Sequence, residues 1–291
     1  MRPNIVIGLP TIGRAAILCR TLTQLRCQTR LPDGIMVCGT RPADVEGAEQ
    51  AYPSAKLLYT TAGLPRQRNA ILAGAANADV VMFFDDDFLP HPNYLAAVEQ
   101  YMTANPSCVV ATGKVLADGI NGPGLTLDEA LSIIARHGEG GPSATPVFTA
   151  YGCNMAVRTA PMRLHGLHFD ERLPLYGWQE DVDLSRQLAV FGAVVQLDGA
   201  RGVHLGVKSG RCAGIRLGYS QVANPLYLSA KRRGYPFGRA VGHIAKNVAM
   251  NVARAAWSEP YTDRRGRLRG NVLAFRDLMR GRIVPERILD L

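Results

Sequence analysis

Apolar residues in the N-terminal part of the chain fall into five short, nearly unbroken runs: Ile5–Gly8, Gly34–Cys38, Lys56–Tyr59, Val80–Phe84 and Cys108–Thr112. Each is too short and too continuously apolar to turn one side to water, which predicts strands buried on both faces. Between them lie stretches with helical spacing of apolar positions: Arg14–Cys27, Ala43–Ala51, Leu64–Ala76 and Pro92–Thr103. This alternation predicts a mostly parallel, doubly wound α/β sheet flanked by helices on both faces. Ligands of such sheets gather at the carboxyl ends of the strands, so the residues just after each strand are where chemistry is sought.

After Thr112 the alternation breaks into a Gly- and Pro-containing insertion, Lys114–Pro146, with helical spacing near Leu127–Ala135. A strand is expected at Val147–Val157, a helix from about Asp181 to Phe191, and helical periodicity across Asn224–Trp257 and Asn271–Met279. A boundary near residue 205 follows, supported by charge. Residues 1–200 carry 15 Lys+Arg against 19 Asp+Glu, whereas residues 201–291 carry 18 against 5. The overall charge of +9 therefore belongs to the C-terminal third.

With 291 residues, 47% of them apolar, the chain has ample material for a core, which excludes a disordered protein. The N-terminal apolar run is too short for a signal peptide, and no segment approaches a membrane span, so a cytoplasmic protein is expected. The six cysteines (Cys19, Cys27, Cys38, Cys108, Cys153 and Cys212) lack paired metal-site spacing and are read as reduced.

Three segments carry candidate chemistry. Asp85-Asp86-Asp87 directly follows a buried strand, where three like charges call for a cation or hydrogen-bond donors. A hard divalent ion fits such a site; a solvated, helix-preceding turn is the alternative. Tyr176-Gly177-Trp178-Gln179-Glu180-Asp181 sets acidic residues at a helix start beside two aromatics. Helix-dipole stabilisation accounts for acids there, but aromatic faces also stack on sugar rings, and a carboxylate beside them can act as a general base. His204 precedes a Gly-rich basic stretch with Lys208 and Arg211, which suits a diphosphate, although a lone histidine is also a common packing residue.

In order, Gly8-Leu9-Pro10-Thr11-Ile12-Gly13-Arg14, Gly63-Leu64-Pro65-Arg66-Gln67-Arg68-Asn69, Phe84-Asp85-Asp86-Asp87, Gly152-Cys153-Asn154-Met155-Ala156-Val157-Arg158, Phe169-Asp170-Glu171 and Trp178-Gln179-Glu180-Asp181 resemble the family 2 glycosyltransferases, nucleotide-sugar enzymes of the GT-A fold. The resemblance covers roughly residues 4–210 and rests on the order and spacing of six motifs. It implies a Rossmann-like GT-A catalytic domain over 1–205, with a nucleotide-sugar half at about 1–113, an acceptor half at about 146–205, and a basic helical extension over 206–291.

The resemblance also implies roles. Pro10, Thr11 and Arg14 border the nucleotide, and Arg68 and Asn69 help to hold it. Asp85 and Asp87 are the outer residues of a D-x-D motif, the first on the ribose side and the last on Mg2+ or Mn2+, with His204 completing the metal site. Asp181 is the base towards the acceptor hydroxyl. Asn154 lines the donor sugar pocket and Trp178 the acceptor side, while Asp86, Glu180, Lys208 and Arg211 join the donor-binding set. The expected reaction is an inverting transfer of one sugar, hexosyltransferase-like, from a nucleotide-diphosphate sugar to a saccharide or polyprenyl-linked saccharide, as in bacterial exopolysaccharide or cell-surface glycan synthesis.

One departure is Val37-Cys38-Gly39-Thr40, where many members carry an Asp that reads the nucleobase, so the base stays open. A Gln-x-x-Arg-Trp motif of processive synthases is missing, which favours a single addition. A sugar nucleotidyltransferase would need a Gly-rich phosphate loop that Pro10–Arg14 does not supply. A nucleic-acid binder would need regular basic and aromatic interleaving, and no nucleic-acid partner is expected. The basic C-terminal helices are expected either to meet the inner, anionic face of the cytoplasmic membrane as a peripheral contact or to pack on the catalytic domain or a second subunit of a homodimer.

Overall fold

The computed structural model describes residues 2–208, 213–257 and 259–291. The N-terminal half follows the predicted alternation: β1 (Ile5–Pro10), α1 (Ala15–Leu25), β2 (Gly34–Gly39), a one-turn helix at Pro42–Asp44, α2 (Ala48–Ala51), β3 (Ala55–Tyr59), α3 (Leu64–Gly74) and β4 (Val80–Phe84). Next come β5 (Phe88–Pro90), α4 (Tyr94–Ala104), β6 (Cys108–Asp118), α5 (Leu127–His137), β7 (Ala144–Pro146), β8 (Asn154–Arg158), α6 (Thr159–His165), α7 (Glu180–Leu188) and β9 (Ala193–His204). Three long helices close the chain: α8 (Gly214–Ala230), α9 (Phe237–Arg254) and α10 (Arg264–Met279).

The sheet runs β3-β2-β1-β4-β8-β6-β9-β5, with β7 also paired to β9. Strands β3, β2, β1 and β4 are parallel; β8 then inserts antiparallel between β4 and β6. The sheet is therefore mixed, parallel in its nucleotide half and interleaved beyond it. Because successive side chains of a strand point to opposite faces, each central strand feeds two cores. Ile5, Ile7 and Leu9, with Val80, Met82 and Phe84, pack towards α1 and α4, whereas Val6, Val81 and Phe83 pack with Ile71 of α3. That double burial is why these runs read as continuously apolar. Phe84, Phe88 and Tyr94 form a ring cluster with centroids 5.2–5.9 Å apart, each pair contributing about 0.5–1.5 kcal/mol beyond simple burial.

Several expectations are corrected. The helix expected over Ala43–Ala51 is a one-turn helix followed by the four-residue α2. The strand expected over Val147–Val157 is confined to Asn154–Arg158, because Val147–Cys153 loops past the site. The periodicity over Asn224–Trp257 belongs to two helices, α8 and α9, parted at Arg232-Arg233-Gly234-Tyr235-Pro236. Arg232 has φ 54° and Gly234 φ 78°, and Pro236 cannot continue a preceding helix. The Lys114–Pro146 segment is part of the sheet, since β6 extends to Asp118 and α5 packs Ala130 and Ile134 on Leu89, Val203 and Leu205. The five cysteines among the described residues are unpaired; Cys212 lies outside them.

The C-terminal helices pack on the rest of the chain. Asn224 Nδ2 donates to the Trp178 carbonyl, and Lys231 bridges Asp170 and Asp183 at 2.7 and 2.6 Å. Helices α8 and α10 touch backbone to backbone: a Cβ on Gly270 would lie 2.1 Å from the Ile215 carbonyl oxygen, and one on Gly218 2.0 Å from that of Arg267. No helix among the described residues is long and apolar enough to cross a membrane.

Candidate active site

The acidic turn owes its geometry to the short strand that follows it. Asp85 directly follows β4 and Asp87 precedes β5, whose antiparallel register on β9 sets Phe88 opposite His204. On its other side β9 pairs with β6 so that Asp118 lies opposite the same histidine. His204 is thus held among three carboxylates. Its Nε2 lies 3.3 Å from Asp87 Oδ1 and 4.0 Å from Asp85 Oδ2, and its Nδ1 lies 3.0 Å from Asp118 Oδ1.

The middle carboxylate points the other way. Asp86 is fully buried, accepts from the Thr11 hydroxyl at 2.6 Å and the Arg14 Nε at 3.1 Å, and pairs with Arg14 Nη2 at 2.7 Å. Burial pushes its carboxyl up, to about 7, against the pull of Arg14. Asp87 is buried too, but His204, Arg14 and the Val207 N–H outweigh burial and hold it at about 2. Burial opposes the charged form of His204; Asp118, Asp87 and Asp85 override it and lift the imidazole to about 10.

Asp85, Asp87 and His204 offer donor atoms that all lie within 4.8 Å of one another. Two hard carboxylate oxygens and one imidazole suit Mg2+ or Mn2+, and Asp118 on Nδ1 directs Nε2 at the other two donors. The residues fit a divalent ion. Asp118 also accepts from the Tyr151 hydroxyl at 2.9 Å, and its N-cap bond to Ile120 ties the following turn to it. Sequence reading missed this residue: an Asp at the end of a long strand carries no local signal, and its partner is 86 positions away.

Helix α7 supplies the second group of acids. Gln179, at φ 72°, precedes it, held by donation from its Nε2 to His243 Nδ1 at 2.8 Å and to the Tyr235 hydroxyl at 3.3 Å. His243 belongs to α9, so the C-terminal helices hold the start of the helix that carries Asp181. Asp181 accepts from the Gly152 N–H at 2.9 Å and from its own helix at Val182, at 2.8 Å. Burial raises its pKa in spite of those donors and Arg68. The fit around Gly152 is tight: a Cβ would come within 3.2–3.3 Å of Glu180, Arg68 and Asp181 together, so those side chains would have to give way.

Arg68 sits behind the acids. It is fully buried, lies 5.4 Å from the ring centroids of Phe83 and Phe169, and donates to Glu180 at 2.6 Å, Asp85 at 3.3 Å and the Gly152 carbonyl at 2.7 Å. It links the two acidic segments and also lines the smaller cavity between them. Burial pushes Glu180 up to about 8, against the pull of Arg68, and its Oε2 has no hydrogen-bond partner among the described residues.

Two adjoining cavities open onto these groups. One, of 280 Å3, is lined by Pro10, Thr11, Arg14, Leu64, Asp85, Tyr176 and Arg216; the other, of 210 Å3, by Leu64, Arg68, Asp85, Tyr176, Trp178, Glu180, Asp181 and His204, among others. The structure brings Pro10, Thr11, Arg14, Asp85, Trp178, Glu180, Asp181 and His204 to one connected space, with Asp87 directly behind His204.

It does not bring Asn69 there: that side chain is spent on the Phe169 backbone and Glu171. Asn154 is buried under β6, its Oδ1 accepting from Thr112 and the Gly113 N–H, and lines neither cavity. Lys208 Nζ donates to the Gly119 and Ile120 carbonyls. Arg211 lies outside the described residues. Arg216, in α8, was not singled out because it sits in the basic stretch with no distinguishing neighbour.

Residues 6–163 match the family model for glycosyl transferase family 2. The chain belongs to glycosyl transferase family 2. Its fold is the GT-A fold of nucleotide-sugar enzymes, and the family 2 segment holds β1, the acidic turn and Asn154, while Asp181 and His204 lie beyond it. Among solved structures, this family 2 chain is similar to PcManGT, a mannosyltransferase from Pyrobaculum calidifontis in complex with GDP-Man and Mn2+. The TM-score is 0.57 at 16% identity, over 96% of this chain and 87% of that one. It is also similar to GalNAc-T7 with UDP, GalNAc and Mn2+ (0.58, 13% identity, 99% and 56% covered) and to TarS of S. aureus (0.57, 16% identity, 86% covered). The chain spans 42% of the length of TarS. At these identities the likeness concerns the fold. No curated protein matches the sequence.

Proposed function

We propose that this family 2 protein is an inverting, divalent-metal-dependent glycosyltransferase. It moves one sugar from a nucleoside-diphosphate sugar to a hydroxyl of a saccharide or lipid-linked saccharide, in bacterial exopolysaccharide or cell-surface glycan synthesis. The observation that carries the reading is that Asp85 and His204, from the cluster suited to a cation, share the wall of one 210 Å3 cavity with Asp181. Mn2+ in the solved mannosyltransferase and GalNAc-T7 complexes supports the same choice of ion.

In this reading the nucleotide lies in the 280 Å3 cavity against Pro10, Thr11 and Arg14, and the sugar reaches past Asp85 into the second cavity. Asp181 takes the proton of the acceptor hydroxyl as its oxygen bonds to the anomeric carbon. The bond from that carbon to the diphosphate oxygen breaks with inversion, and the nucleoside diphosphate departs. A base with a raised pKa accepts a proton more readily, which is what burial gives Asp181. When bound by Asp85, Asp87 and His204, Mg2+ or Mn2+ supplies charge neutralisation for the departing diphosphate. Trp178 offers a flat face to a sugar ring.

The test is nucleotide release from a panel of nucleotide sugars with Mn2+, with product mass determined in the presence of candidate acceptors. Asp87→Ala should abolish metal-dependent turnover, and full activity in chelator overturns the proposal.

A further inference from the structure

Helix α9 is covered on one side only. Ala240, Ile244 and Asn251 are buried, and His243 and Asn247 reach Gln179 and Gln221. The adjoining side presents Phe237, Val241, Ala245, Ala249 and Val252, all exposed, with Phe237 65%, Val241 46% and Val252 57% accessible. At 100° per residue these positions form a stripe roughly 120° wide with no charge inside it. Lys246 and Arg239 flank one edge of it, Arg239 also stacking 3.8 Å over the Phe148 ring, whereas Arg254 lies on the far side of the helix and pairs with Glu259 at 3.4 Å; the helix contains no Asp or Glu. Trp257, 68% exposed, follows the helix, and Arg232 and Arg233 precede it on the rim of a 740 Å3 cleft shared with His165, His168 and Arg186.

The occupant must satisfy both features. A second copy docked through the same helix would bring two edges carrying Lys246 and Arg239 near one another, and a neutral protein groove would offer the Lys246 ammonium no counter-charge. An anionic bilayer takes both. Apolar side chains of an interfacial helix sink about 5–10 Å to the headgroup boundary, while flanking cations stay among the phosphates. At 1.5 Å per residue α9 is about 27 Å long, enough to lie flat along such a surface.

We infer that α9 is a membrane-docking face, lying in the headgroup region of an anionic phospholipid bilayer with Phe237, Val241 and Val252 inserted. The inference stands apart from the donor reading, because vesicle binding needs no turnover. It also has a structural consequence: the docked helix is the one whose His243 holds Gln179, two residues before Asp181.

The experiment is co-sedimentation of the full chain with phosphatidylglycerol-containing and with pure phosphatidylcholine vesicles, at low and high salt. Binding should favour the anionic vesicles and weaken with salt. Val241→Glu combined with Val252→Glu should lower the affinity about tenfold or more. Lys246→Ala, an exposed single change that keeps the fold, should lower it about fivefold. Leu31→Glu, at a 52% exposed apolar residue outside the helix, should leave it unchanged. Absence of binding, equal binding to both vesicle types, or parent-like binding by the folded double variant overturns the inference. A parent dimer that the double variant dissociates, read by sedimentation velocity, overturns it in favour of a second copy.

Discussion

Replacing Asp181 by Asn separates a base from a helix-dipole partner. The side chain keeps its shape, but only one of its two polar atoms can still accept. Asp181 now receives the Gly152 N–H at 2.9 Å and the Val182 N–H at 2.8 Å, so one of these donors would face an amide NH2. Leaving one buried donor unpaired costs about 1–3 kcal/mol, partly offset because a buried charge disappears. For a chain of this size that is a fall in Tm of about 2–4 °C per kcal/mol.

Loss of a positioned general base should slow transfer by about 10²–10⁴, or about 2.7–5.5 kcal/mol of barrier. The kinetic loss therefore exceeds the structural one. The assay is sugar transfer at saturating donor and Mn2+, paired with a donor thermal shift, which should survive. In the parent, the base must be unprotonated, so kcat should fall as pH drops through a pKa above the ordinary carboxylate range, and Asp181→Asn should lose that limb. Transfer within threefold of the parent, with donor binding intact, would refute the assignment and leave Asp181 a structural residue.

Three other outcomes follow from the geometry. Asp118→Ala removes the carboxylate from His204 Nδ1 and should weaken Mn2+ binding about 10–100-fold by titration calorimetry, with the fold retained. Gly270→Ala should destabilise by about 1–3 kcal/mol in thermal melts, because the new Cβ meets the Ile215 carbonyl of a neighbouring helix backbone. Asp44 is buried, and the Thr40 hydroxyl with the Gly13 and Thr40 N–H groups outweighs that burial and holds its carboxyl below the ordinary value. Its contribution is present above the unfolded carboxylate pKa of about 3.9 and is lost as pH falls through the folded value, so Asp44→Asn should melt lower at neutral pH and match the parent in strong acid.

The chain's apolar pattern determined the parallel half of the sheet, because strands such as β1 and β4 bury both faces and helices such as α1 and α3 bury one stripe, and both signatures are local. Val80–Phe84 ends where it was expected to, and the acidic turn follows it directly. Asp85, Asp87, Asp181 and His204 were legible as candidates for a similar reason: acids and a histidine at element ends stand out against apolar runs.

What only tertiary structure decided is which of these groups meet. β5 is three residues long and carries no periodicity of its own, yet its pairing with β9 is what sets Asp87 beside His204. Asp118 entered from the other neighbour of β9, and Arg68 proved to be packed between Phe83 and Phe169 and to join the two acidic segments. Strand order and register depend on contacts between residues dozens of positions apart, and burial of a polar side chain depends on everything packed around it. Neither quantity is a property of any short stretch of sequence.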